Sequence, residues 1–201
     1  MKKVGITTYR QGFTIVEILI VIVVIAILAT ITVVSYNGIQ VRAEKDKTLT
    51  AVRAYKQALE VYKAFEGAYP TTATYCLGSG YIDRTGDGNP DCRWNSGNVN
   101  PNTAFNSALA TYVQASVDIT QKPVMSGSSG MVGMYFMNDS RLSLDGNPQY
   151  NWIVYAVPDK HCALNVPLLV APYPTGGFTS KSNDTVSENW GSGGLCWIPL
   201  T

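Results

Sequence analysis

The chain has 201 residues, a net charge of +1 and only 14% charged side chains, its 15 basic and 14 acidic groups spread rather than clustered. That balance excludes a nucleic-acid binder working through phosphate contacts, which needs a basic stripe. The length suits one globular domain behind an N-terminal segment and would crowd two.

Residues 1–12 contain Lys2, Lys3 and Arg10 and no acid. From Ile18 no charge occurs until Arg42, a span long enough for the roughly 20 helical residues that cross a bilayer. Ile, Val and Leu dominate this run. They are poor helix formers in water, but a backbone in hydrocarbon must satisfy its own hydrogen bonds, and a helix does so. The basic flank keeps the N-terminus cytoplasmic and sends the rest of the chain outward. One residue sits oddly: Glu17, a carboxylate at the start of the apolar run. A cleaved secretory signal has an apolar core of about 7–15 residues before a small-residue site, and Ile27-Leu28-Ala29 is a mediocre version of that site. A plain single-pass anchor is the second reading. Neither accounts for Glu17, because an ionisable group inside a membrane helix costs about 2.5–3.5 kcal/mol and marks function or a buried partner.

A third reading does account for it. Gly12-Phe13-Thr14-Ile15-Val16-Glu17 resembles the class III signal of type IV pilins and pseudopilins: a short basic leader ending in Gly, then Phe, Glu as the fifth residue after the cut, and an apolar helix. The resemblance covers the chain closely up to about residue 41 and the rest only as an architecture. It implies that a prepilin peptidase in the membrane cuts between Gly12 and Phe13, that Phe13 becomes the methylated N-terminus, and that residues 13–41 pack with their neighbours as the core of a helical filament. It also implies that Glu17 pairs with the α-amino group of an adjacent subunit. Val34 departs from the family, many members of which carry proline there, so a proline-marked kink is not expected. Gly38 could loosen the helix instead, at about 1 kcal/mol relative to Ala, or simply be tolerated on a surface. Removing residues 1–12 leaves 12 basic against 14 acidic side chains.

Beyond Arg42 the pattern becomes one-sided. Leu49, Val52, Tyr55, Leu59, Tyr62 and Phe65 recur at steps of three and four, with charged residues largely between them. Residues 42–67 therefore read as an amphipathic continuation of the same helix, and the aromatic stripe as a core face. No proline precedes Pro70, so a rod over residues 13–66 would span roughly 80 Å at 1.5 Å per residue. Gly67, with Pro70 just beyond, is the stop signal.

Residues 68–201 read as an extracellular globular domain rich in Gly, Ser, Thr and Asn. Residues 102–113 form a short helix capped by Asn102 or Thr103, with Phe105, Leu109 and Tyr112 inward. Strands are expected at 131–137, 152–157, 166–171 and 195–198, a turn at 144–149, and a mobile loop at 126–130. The fold class is α+β: a long N-terminal helix, transmembrane then amphipathic, packed on a C-terminal antiparallel sheet. All four cysteines, Cys76, Cys92, Cys162 and Cys196, lie on the exported side, which implies two disulfides. The pairing expected is Cys76 with Cys92 and Cys162 with Cys196, since each encloses a Gly-rich loop. Zinc is disfavoured, as there is no Cys-x-x-Cys and His161 is the single histidine.

Residues 83–91, DRTGDGNPD, place oxygen-bearing side chains at Asp83, Thr85, Asp87 and Asp91 with Gly88 at position six. This resembles the first part of an EF-hand-type calcium loop, except that Trp94 stands where a bidentate Glu belongs. The competing reading is a solvated Asp/Gly turn. Catalysis is not expected: His161 adjoins Cys162, but strand neighbours point to opposite faces and an exported cysteine is oxidised. Trp94, Trp152, Trp190 and Trp197 read as core rather than as a sugar-binding surface.

The function expected is a structural subunit, a major pilin of a type IV pilus-like surface filament serving adhesion, motility or DNA uptake. A minor pilin, or a pseudopilin of a secretion or competence system, is the alternative within that superfamily. An exported binding module or enzyme behind an ordinary signal peptide is the alternative outside it. The partners expected are further copies of the chain, the prepilin peptidase, the membrane before assembly and the pilus assembly machinery, with no cofactor other than calcium. The precursor would sit in the cytoplasmic membrane and the mature subunit in a surface filament.

Overall fold

The computed structural model describes residues 12–95, 97–113, 123–139, 143–144, 147–148, 151–158, 168–170, 179–181, 188–190 and 192–200. Two compact units divide at Gln40, Met1–Gln40 and Val41–Thr201. Helix α1, Ile15–Glu66, contributes to both. In the first unit its apolar side chains are exposed throughout Ile15–Thr32, the span long and apolar enough to cross a membrane. The helix ends where the glycine signal places it. Gly67 takes φ +80 and its N–H caps the Lys63 carbonyl at 2.8 Å, a conformation that costs glycine nothing.

In the second unit a five-stranded antiparallel sheet is flanked on both faces. Its order is β1 (Tyr75–Cys76), β5 (Met134–Asn138), β8 (Asn151–Val157), β12 (Gly193–Pro199) and β11 (Glu188–Trp190). One face, through Met134, Phe136, Ile153, Tyr155, Cys196 and Ile198, packs on Leu49, Val52, Tyr55 and Leu59 of α1 and on Phe105 and Leu109 of α2, Thr103–Ala110. The other face, through Tyr135, Trp152, Val154, Leu195 and Trp197, packs on a smaller sheet ordered β2 (Arg93–Trp94), β4 (Ser129–Met131) and β3 (Val124–Ser126). Burial on both faces explains why these strands read as unbroken apolar runs rather than as alternation. Trp94, Trp152 and Trp197 are accordingly core residues. Helix α2 begins as capping chemistry dictates, with the Asn102 side chain accepting from the Phe105 N–H at 2.9 Å. It stops at Ala110, so Tyr112 lies past its end and packs edge-on against Tyr62 at 6.0 Å.

Three expectations need correction. Phe65 is 77% exposed rather than inward. Six positions past Leu59 at about 100° per residue, it has rotated about 120° away from the buried face. The strand expected at 131–137 is two strands, β4 ending at Met131 and β5 starting at Met134, because Gly133 adopts φ +72 between them. Residues 126–130 form no mobile loop; they belong to a tight β3–β4 hairpin in which Gly127, at φ +60, opens the two-residue turn. The turn expected at 144–149 falls partly outside the described residues, with β6 (Ser143–Leu144) paired to β7 (Asn147–Pro148) across it. Of the strand expected at 166–171, residues 168–170 are described as β9, Leu168–Val170, paired with β10, Thr179–Lys181.

Gly130 shows how tightly the second core is filled. A Cβ at that position would lie 1.9 Å from Cζ2 of the Trp94 ring, which is itself buried with the Arg84 guanidinium stacked 4.9 Å from it. Gly130→Ala is therefore expected to lower stability by about 1–3 kcal/mol, the usual cost of overpacking a core. The readout is the thermal midpoint of the detergent-solubilised chain, and an unchanged midpoint would mean that Trp94 can move aside.

Candidate functional site

Two places hold the residues singled out in the sequence. The first is the start of α1. Gly12, Phe13 and Thr14 precede the helix in non-helical backbone and are exposed, Phe13 at 83%. Thr14 is the N-cap. Its hydroxyl accepts from the Glu17 N–H at 3.2 Å, its own N–H donates to Glu17 Oε2 at 2.8 Å, and its hydroxyl donates to the same oxygen at 2.8 Å. The Ile18 N–H closes the first turn onto the Thr14 carbonyl at 3.3 Å. This is a capping box, in which N-cap and N3 side chains satisfy each other's backbone donors. Within a single chain the carboxylate at the head of the apolar run is thus held by Thr14. The sequence carries the signal for it, Thr-x-x-Glu ahead of an apolar run, so Thr14 belongs to this site together with Glu17. A Cβ built on Gly12 meets nothing within 4 Å, so the local fold makes no demand for glycine there.

The second place is the loop between β1 and β2, closed by the disulfide joining Cys76 to Cys92. On the chain-entropy model a bridge across a loop of this length contributes about 3 kcal/mol. Cys196 is disulfide-bonded as well; Cys162, its expected partner, and His161 lie outside the described residues. Inside the loop one oxygen each from Asp83, Asp87 and Asp91 lie within 4.8 Å of one another. Asp83 Oδ1 accepts from the N–H groups of Thr85 at 3.1 Å and Gly86 at 2.6 Å, and Oδ2 accepts from Gly88 N–H at 2.8 Å. Led by the Gly88 N–H, these donors hold the Asp83 pKa below that of a free aspartate. The stabilisation they give is present at neutral pH and lost as the pH falls through the depressed value. Gly86 and Gly88, at φ +77 and +85, permit the turn that aims those N–H groups inward.

Asp91 is fully buried. Its Oδ2 accepts from the Arg84 N–H and the Thr85 hydroxyl, both at 3.2 Å, and its Oδ1 from the Asn100 amide at 3.1 Å. Asn100 was not legible as part of this site: it lies nine residues away, brought back by the bridge between Arg93 and Val99. Trp94, at position twelve of the run, is buried beneath the Arg84 guanidinium at 4.9 Å and offers no ligand oxygen. The loop therefore gathers three carboxylates, part of the six to eight oxygens a calcium ion takes.

Residues 12–17 thus form a capped apolar helix entered from an exposed glycine–phenylalanine pair. The family described as prokaryotic N-terminal methylation motif matches residues 7–33, which bears out the resemblance to prepilins. The chain is also similar to particular proteins over about a third of its length. The type II secretion system core protein G of Escherichia coli (strain K12) is 39% identical over 66 residues, 33% of this chain and 46% of that protein. The protein of the same name from Vibrio cholerae serotype O1 is 38% identical over 63 residues, 31% of this chain and 43% of that one. The Aeromonas hydrophila protein is 36% identical over 63 residues. The chain thus matches less than half the length of these relatives. No solved structure matches it.

Proposed function

We propose that this protein is a pseudopilin, a structural subunit that polymerises through its N-terminal helix into the filament of a secretion system. The relatives named core protein G of a type II secretion system carry this reading over that of a surface pilus major pilin, and the methylation motif supplies the maturation route. A prepilin peptidase would release the chain at Gly12–Phe13 and Phe13 would be methylated. The mature subunit would leave the membrane for the filament, with no catalysis of its own. Mass spectrometry of the mature N-terminus tests the maturation step: methylated Phe13 is expected, and a chain starting near Thr30 or Ser35 would return the protein to an ordinary secretory signal. Deleting the gene tests the filament type. Loss of exported proteins with surface pili intact is expected, whereas abundance of the subunit in sheared surface filaments would reinstate the pilus reading.

The convergence of Asp83, Asp87 and Asp91 supports a second, smaller reading, that this loop takes a calcium ion in the globular domain. Sites in extracellular modules have dissociation constants of about 0.1–1 mM, so saturating millimolar calcium should add about 1–3 kcal/mol to stability by mass action. The thermal midpoint of the detergent-solubilised chain is expected to rise with calcium and fall with chelator, and Asp87→Asn to abolish the difference. Identical midpoints in calcium and chelator would make the loop a self-satisfied turn.

A further inference from the structure

We draw no further inference here: the strongest candidate, the Asp83, Asp87 and Asp91 carboxylate cluster in the loop closed by the Cys76–Cys92 disulfide, belongs to the site already described, and its side chains are held by donors from the loop and Asn100 with no second sign of a ligand.

Discussion

Gly12→Val is expected to leave the full-length precursor in the membrane and to abolish the chain that begins at Phe13. Gly12 makes no contact that the described fold depends on. Its Cβ position is empty to 4 Å, and the helix begins three residues later under the control of Thr14 and Glu17. A valine there removes no contact of the described fold, so the membrane helix and the globular domain should form as before. Any loss of processing then reports on the peptidase, which must bring its own groups close to the backbone on either side of the scissile bond, where a branched side chain collides. Immunoblots of membrane fractions would separate precursor from mature chain by the 12 residues that the proposed cut removes. Circular dichroism on the accumulated precursor checks that helix and sheet are intact. Mature protein of normal mass from the valine variant would move the cleavage site elsewhere.

How far the fold could be read in advance depended on whether the determining interactions were local. The end of α1 at Gly67 and the start of α2 at Asn102 are backbone hydrogen-bonding problems solved within four residues, and both stood in the sequence. The core stripe from Leu49 to Tyr62 follows from helical periodicity, and it failed at Phe65 where a repeat of three drifts off the buried face. The central strands were legible because burial on both sides makes them continuous apolar runs. The two-residue strands Tyr75–Cys76 and Arg93–Trp94 were not, since pairing with β5 and β4 defines them and nothing in their own residues does. Strand order has the same origin: β1 meets β5 and β12 meets β8 through contacts far apart in the chain. The acidic loop lay between these cases. Its Asp and Gly spacing was visible, whereas Asn100 on Asp91 depended on the bridge that returns Val99 to Arg93.

Glu17→Gln is expected to leave membrane insertion and leader cleavage unchanged and to cut filament assembly by more than tenfold. Glutamine is a sound probe because it keeps the local structure. Its amide oxygen can accept from the Thr14 N–H as the carboxylate does at 2.8 Å, and the capping box functions with either side chain. The helix should therefore start at the same residue, and what disappears is the charge. The proposed cleavage before Phe13 would create an α-ammonium group at the head of an apolar helix, and the arrangement that the resemblance implies would set that amine against Glu17 of the next subunit. Removing one partner from a buried ion pair costs about 3–5 kcal/mol, because the other charge is stranded, and every subunit added to the filament would meet that cost. The pair would also fix the axial offset between neighbouring helices, so surviving polymers should be short or irregular. Thr14→Val makes the complementary change, deleting the hydroxyl that holds the carboxylate in the isolated chain while leaving the charge. Filament counts by electron microscopy, normalised to mature subunit in the membrane, should fall far more for Glu17→Gln than for Thr14→Val. Equal losses would make the Thr14 hydroxyl as necessary to assembly as the charge on Glu17, and normal filament numbers from Glu17→Gln would end the charge-pairing account while leaving the prepilin maturation route in place.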